Sequence, residues 1–383
     1  MDNFHCNFAH RRLSRALYLT KLSVYLAYTW PPPATATKWE TTKYDIGWWI
    51  SLSSALCLLV PLLFAMSKYR SDSLTLTQTA CFIGATLNLI FKMVVCRIHM
   101  KRTQSLISEM EDFLETAEHR EKMILQRYVD RFLSVHGFIS VVNYLATAMG
   151  VTVPLLNPDQ SFPTRAVYPF SVESGVPMYA AYLHQALAGF QCSAGVTIDC
   201  QVAAMMWFAG ARLEMLAEEL EFVSDMDGIR AFVGKHRELL AYASDVSDTM
   251  SYIAVASSTA CGIAAIMSSL QLFGNQPFFA KMQFGPIALI ALMNLFICAW
   301  PADNLINVCE RLGNAVYNTS WMNMSKKITK NVQLILQRCQ TPVIVSVAGF
   351  LPNLNLQSYG SFLSVAFSYF TTLRLVVMSD TEN

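Results

Sequence analysis

Few residues in this sequence are placed to do chemistry. None of its 383 residues forms a Gly-x-Ser-x-Gly elbow, a phosphate-cradling glycine loop, a His-Glu-x-x-His pair or a paired-carboxylate constellation. Hydrolysis and phosphoryl transfer therefore have no nucleophile, cradle or ligand set to start from. The ten cysteines show no Cys-x-x-Cys or Cys/His metal spacing, so no metal, disulfide staple or cofactor is expected. Three polar groups interrupt long apolar runs. Asp199 lies about 22 residues beyond Pro177, which helix rise places near one end of its run. An ionisable group there is a functional candidate, but an interfacial acid facing a polar bundle is the favoured expectation. His184 and Gln185 are expected to bond neighbouring helices rather than a ligand. The densest polar patterning is in Leu356–Val377, which carries Ser358, Gly360, Ser361, Ser364, Ala366, Ser368, Thr371 and Thr372. Helical periodicity aligns Ser361, Val365, Ser368 or Tyr369, Thr372 and Val376 in one stripe. Several copies of that stripe around an axis would make a narrow pore, wetted by hydroxyls and closable at an apolar ring. The alternative is an ordinary packed span whose hydroxyls bond their own backbone.

The elements that must hold these residues are membrane helices. Charged residues are only 14% of the chain and apolar residues 54%, against about 25% charged in ordinary soluble domains. A net charge of +1 without a basic block also argues against nucleic acid as a partner. Seven runs are long enough to cross a bilayer: Ile46–Met66, Leu74–Val95, Phe132–Gly150, Pro177–Ala209, Met250–Leu272, Phe284–Ala302 and Leu356–Met378. Basic residues favour the N-terminal segment and every second loop about fourfold over the opposite loops. The expected fold is thus an all-α polytopic protein of seven transmembrane helices, with a cytosolic N-terminus and an extracellular C-terminus. That orientation is the reverse of a G-protein-coupled receptor.

Four regions follow. Residues 1–45 are a cytosolic helix and linker broken by Trp30-Pro31-Pro32-Pro33. Residues 46–302 hold six spans with helical extensions on the inner side, where Leu213, Leu216, Leu220 and then Ile229, Phe232, Val233, His236 and Leu240 recur at helical spacing across Asp227-Gly228. Residues 303–355 are cytosolic helices, amphipathic over Lys326–Gln340, and residues 356–383 are the last span and a short tail. Intrachain packing or a bundle between subunits would each bury those apolar stripes. The proline-rich Val151–Val176 loop fits a structured cap over a pocket and a stiff connector equally well.

One further pattern narrows the class. Ala348-Gly349-Phe350-Leu351-Pro352-Asn353-Leu354-Asn355-Leu356, then Ser368-Tyr369-Phe370-Thr371-Thr372-Leu373-Arg374, resembles the C-terminal signature of insect odorant receptors. So does Cys309-Glu310-Arg311-Leu312-Gly313-Asn314-Ala315-Val316-Tyr317 with Trp321 beyond it. The match is close over roughly residues 300–377 and architectural elsewhere. The resemblance implies an odorant-gated, non-selective cation channel of the plasma membrane, assembled as a heterotetramer with the shared odorant receptor co-receptor (Orco). It implies a pore lined by the last helix, with the gate falling on Thr372 and Val376; Thr372 departs from the aliphatic residue of the co-receptor. The short loop before the fifth span fits a tuning subunit better than a co-receptor.

The resemblance also implies a pocket for a small volatile molecule in the outer half of the bundle. Side chains chosen there by helical face are Thr77, Cys81 and Gly84; Val141, Tyr144, Leu145 and Ala148; Met178, Tyr179, Tyr182 and Leu183; and Ile287, Ile290, Ala291 and Asn294. Such a pocket suits an ester, alcohol or aromatic. A G-protein-coupled-type chemoreceptor is the alternative from another class. It lacks support from an Asp/Glu-Arg-Tyr or Asn-Pro-x-x-Tyr motif. It would also expose the Asn318-Thr319-Ser320 and Asn323-Met324-Ser325 sequons to glycosylation. A gustatory receptor channel is the third reading.

Overall fold

An apolar segment in lipid must satisfy every backbone N–H and C=O within itself, and a helix does so. The computed structural model describes residues 14–156, 160–172, 174–220, 225–273, 278–319, 326–347 and 353–382. Helix α1 spans residues 14–23. It is followed by α2 Lys38–Lys68, α3 Ser73–Ile98, α4 Met100–Thr116, α5 His119–Leu156, α6 Gly175–Glu219, α7 Met226–Phe273, α8 Phe278–Asn318, α9 Lys326–Cys339 and α10 Leu356–Glu382. Among the described residues α2, α3, α5, α6, α7 and α8 are long and apolar enough to cross a membrane. The seventh expected run folds as α10, a helix of 27 residues. The Ala348–Pro352 break, Trp321 and the Asn323 sequon lie outside the described residues.

Several helices overshoot the bilayer. Helices α6, α7 and α8 have 45, 48 and 41 residues, or roughly 60–70 Å of rise against a hydrocarbon core of about 30 Å. The surplus projects from one end of the bundle, where charge and amphipathic stripes can be solvated. Helix α8 passes through residue 302 without a break, so its span and its extension form one rod. At this charged end Glu214 meets Arg127 and Arg311, Glu218 meets Arg120 and Arg127, and Arg102 meets Asp245 and Asp248. Glu109 of α4 pairs with Arg212 at 3.8 Å; burial raises its pKa and the guanidinium opposes the rise.

Local signals set the entries to the helices. Thr37 closes a capping box with Glu40 at the start of α2. Pro61, Pro154, Pro286 and Pro301 sit inside helices, which membrane bundles tolerate because neighbours satisfy the freed carbonyls. The Pro61 carbonyl accepts from Val167 N–H at 3.0 Å. Helix α6 is the axis of the molecule, buried nearly all round from Ser193 to Ala211. Trp207, fully buried, stacks on Phe132 and meets Trp300 and Tyr128 edge-on. That aromatic knot ties α5, α6 and α8 together.

Candidate functional site

Opposite the charged end, α3, α5, α6, α7 and α8 diverge around a cavity of about 180 Å³. Its walls are mostly apolar: Leu58 of α2, Cys81, Phe82 and Ala85 of α3, Ala146 and Val151 of α5, Val196 of α6, Ala260 and Ala264 of α7, and Ile287, Ile290 and Ala291 of α8. The loop between α5 and α6 closes it, with Pro163 and Thr164 in the lining. Gln185 holds the loop down: its Oε1 accepts from Thr164 N–H and Oγ1–H at 2.9 Å each, and its Nε2 donates to Tyr168 Oη at 3.1 Å. The proline-rich loop is therefore a cap on this cavity. His184 likewise bonds a neighbouring helix, its Nε2 lying 3.2 Å from the Ser54 carbonyl. The other polar lining groups are mostly spent on the protein. Asn143 donates to the Ser193 carbonyl at 2.9 Å, and the Thr147 and Ser193 hydroxyls meet at 2.6 Å.

A buried ion pair adjoins the cavity. Lys92 Nζ of α3 lies 2.8 Å from Asp199 Oδ2 of α6, and both side chains are 0% exposed. Lys92 also donates to the Gly195 carbonyl at 3.3 Å. Ser257 of α7 donates its hydroxyl to the carboxylate at 2.9 Å, and Asn294 Nδ2 of α8 donates to Oδ2. Asp199 is thus not an interfacial acid facing a polar bundle, as the sequence suggested. It is the hub that ties four helices. The arithmetic of helix rise gave its depth along α6 and carried no information on which face it occupies. Isolated charges at this depth are costly, whereas a pair with its lone pairs satisfied is sustainable. Asn294 belongs to both assemblies, since it lines the cavity and bonds the carboxylate.

Comparison with known proteins now places this geometry. Residues 73–367 match the family model described as 7tm Odorant receptor. The chain belongs to the odorant receptor family. Among curated relatives, odorant receptor Or2 of Anopheles gambiae is 22% identical over 66% of this chain and 71% of its own length. Odorant receptor 13a of Drosophila melanogaster is 20% identical over 92% of this chain and 93% of its own. Among solved structures, the olfactory receptor OR5 of Machilis hrabei in complex with eugenol superposes with a TM-score of 0.84 at 16% identity, covering 96% of this chain and 99% of that one. At that identity the likeness is one of fold.

The odorant receptor bundle brings only some of the expected pocket residues together. Cys81, Ile287, Ile290, Ala291 and Asn294 line the cavity. Tyr144 and Tyr182 are committed to backbone, donating to the Ser23 and Val151 carbonyls at 2.6 and 2.5 Å. Val141, Leu145, Tyr179 and Leu183 are exposed on the outside of the bundle, where lipid would cover them. Thr77 accepts a hydrogen bond from Gln271 Nε2 at 2.6 Å. Gly84, Ala148 and Met178 are half-buried and outside the lining. Sequence reasoning missed Asn88, Asn143, Thr147, Cys192, Cys261 and Gln283 of the lining. Polarity inside an apolar run was the available signal for Asn88, Asn143 and Gln283, but it names no helix face.

Helix α10 packs on α7 and α8 along one side only. Tyr359 Oη donates to the Leu292 carbonyl at 3.0 Å and its ring meets Phe296, while Phe362 lies against Cys261, Ala265 and Ala291. The expected pore stripe is on the other side: Ser361, Val365, Ser368, Tyr369 and Thr372 are exposed in the single chain. The side chain of Val376 lies outside the described residues. The hydroxyls of Ser361, Ser368 and Thr372 donate to Gln357, Ser364 and Ser368 carbonyls of their own helix. The hydroxyls thus bond their own backbone, as the alternative reading expected, on a face that the chain's own packing leaves uncovered.

Proposed function

We propose that this odorant receptor is the tuning subunit of an odorant-gated, non-selective cation channel in the plasma membrane of a sensory neuron dendrite. Its charged end faces the cytosol and its capped cavity the outside. A small volatile molecule binds the cavity, and the chain assembles with the co-receptor as a heterotetramer whose α10 helices surround the pore. The observation that carries this reading is the capped, mostly apolar cavity beside a helix whose hydroxyl stripe is left uncovered. An enclosed apolar space with a few polar groups is what a small volatile ligand needs, and the uncovered stripe is what an axis shared by several subunits needs. The neighbouring fold solved with eugenol supports an aromatic volatile of similar size. The four expected regions serve this scheme in order: a linker, the binding bundle, the anchoring extensions and the pore helix.

Opening requires tighter ligand binding to the open arrangement than to the closed one. Phe362 supplies the contact through which the cavity can favour one of them, because it packs against the cluster of Cys261, Ala265 and Ala291, whose first and last members line the cavity. Co-expression with a co-receptor in a cell line, followed by whole-cell recording across a panel of alcohols, esters and aromatics, tests the proposal. It predicts a volatile-evoked cation current that reverses near 0 mV. A chain that reaches the surface and gives no current beyond that of co-receptor alone would refute it.

A further inference from the structure

A groove of about 510 Å³ lies between the α1–α2 connection and the first turns of α2. Its walls are fixed on two sides. Tyr44 Oη donates to the Tyr28 carbonyl at 2.5 Å and Ser51 Oγ to the Leu26 carbonyl at 2.8 Å, which fastens the connection to α2. Thr197 Oγ1 donates to the Ser23 carbonyl at 2.8 Å and Thr29 Oγ1 to Gln201 Oε1 at 3.2 Å, which fastens it to α6. A Cβ at position 47 would overlap the Tyr28 ring, so Gly47 lets that ring lie against the α2 backbone as part of the lining. The groove is thus preformed, and an occupant does not have to order it. It belongs to the charged end of the bundle: Gln104 of α4, two residues from Arg102, donates to the Pro32 carbonyl at 2.7 Å.

Charge and depth decide what can enter. Lys21 and Lys43 line the groove and are exposed, and no carboxylate lines it. Among the described residues neither ammonium has a hydrogen bond or ion pair; Lys43 lies over the Trp39 ring at 4.9 Å. Nearby acids are engaged or aimed elsewhere. Glu40 is held in the Thr37 capping box, Asp45 pairs with Arg97 at 2.8 Å, and Glu111 lines the adjoining cleft. Lys43 comes three positions before the apolar run that starts at Ile46, and Ile50 comes four after its start. Helix rise therefore carries the groove from about 5 Å outside the hydrocarbon to about 6 Å inside it. Ile46 and Ile50 are exposed on one face of α2, and Tyr25, Trp39 and Trp49 are exposed beside them as an interfacial aromatic belt. We infer that the groove binds an anionic glycerophospholipid of the cytosolic leaflet, with its phosphate between Lys21 and Lys43 and its upper acyl chain along Ile46 and Ile50. The inference rests on the orientation proposed above, which puts this end on the side whose leaflet carries the anionic lipids. A zwitterionic lipid is disfavoured, because its quaternary ammonium is brought toward two lysines.

The test uses the full chain with co-receptor, reconstituted in phosphatidylcholine nanodiscs that contain a trace of photoreactive lipid. The probe carries a diazirine near the glycerol end of one acyl chain and is either a phosphatidylserine or a phosphatidylcholine. Illumination and peptide mapping then read the site. The phosphatidylserine probe is expected to label residues 43–50 about tenfold more than the phosphatidylcholine probe, each lysine contributing a few-fold. The outward face of α5 at Val141 and Leu145 should take up the two probes alike. In the combined variant Lys21→Gln with Lys43→Gln the preference at residues 43–50 should shrink to within about twofold. Equal labelling of that segment in the native chain overturns the inference, whether or not the variant folds. Stronger labelling by phosphatidylcholine overturns it too, and would mean that the aromatic side chains hold a choline by cation–π contact. A preference that survives in the folded variant overturns the role of the two lysines. The orientation fails separately: a glycan on Asn318 in cells would move the groove to the outer face and remove the cytosolic source, whereas equal labelling with Asn318 bare removes the lipid site alone.

Discussion

At the residue scale the decisive feature is the Lys92–Asp199 pair, because its two members cost far more apart than together. Removing one partner of a buried pair leaves the other charge unpaired, at about 3–5 kcal/mol. Lys92→Met should therefore lower the melting midpoint of detergent-solubilised receptor by many degrees and reduce surface delivery, followed on a fluorescent fusion by size-exclusion chromatography. Lys92→Met combined with Asp199→Asn removes both charges and keeps an acceptor for Ser257 and Asn294. The double variant should recover most of the loss. A single variant as stable as the native chain would show that the pair carries no such weight. Asp199 was legible in the sequence as an acid in an apolar run, and Lys92 was legible as a base near the end of another. Their pairing was not, because they are 107 positions apart and only the packing of α3 on α6 brings them together.

At the element scale, close helix approach and one-sided packing do the positioning. Gly195 is where α3 and α6 meet: a Cβ there would stand 2.8 Å from Leu89 Cδ1 and 3.3 Å from Leu89 Cα. Since the latter is backbone, α3 would have to give by a few tenths of an ångström as well as the Leu89 side chain, and small residues at such crossings permit the approach. Gly195→Ala is expected to cost about 1–3 kcal/mol by overpacking and to loosen the Lys92 contact with the Gly195 carbonyl. Gly234→Ala is its control, because nothing lies within 4 Å of a Cβ at Gly234 and helix propensity alone favours alanine by up to about 1 kcal/mol. Thermal melts of both variants decide the matter; equal shifts would refute the close-approach account. Helix α10 gives a functional counterpart. Phe362→Ala should cut the maximal odorant-evoked current while leaving surface expression and ligand competition near native values, because it breaks the link between cavity wall and pore helix. Elements of this kind were read well from hydropathy, since spans of about 20 apolar residues announce themselves. The outward faces of Val141, Leu145, Tyr179 and Leu183 were read poorly. In a lipid-facing helix both sides are apolar, so periodicity does not separate packing from lipid contact.

At the scale of the whole molecule, everything turns on which end of the bundle meets the cytosol. The α6, α7 and α8 extensions gather Arg102, Arg120, Arg127 and Arg311 with Glu214, Glu218, Asp245 and Asp248 at one end. The capped cavity sits at the other, closed by a loop whose only basic residue between Val151 and Val176 is Arg165. Basic residues near span ends are retained on the cytosolic side, so the segregation seen in three dimensions agrees in sign with the count along the chain. In the proposed arrangement α10 is a seventh crossing, and an odd number of crossings puts the termini on opposite faces. A haemagglutinin epitope after Asn383 should be labelled by antibody on intact cells, whereas the same epitope ahead of Met1 should be labelled only after permeabilisation. Asn318 should stay unglycosylated, and an engineered sequon in the cap beside Ser161 should acquire a glycan that an endoglycosidase removes. The two readouts fail differently. A hidden C-terminal epitope together with a glycosylated cap would mean that α10 does not cross, which removes the pore stripe but keeps the ligand cavity outside. A glycan on Asn318 would invert the bundle and place the cavity's cap in the cytosol, where no airborne ligand arrives first.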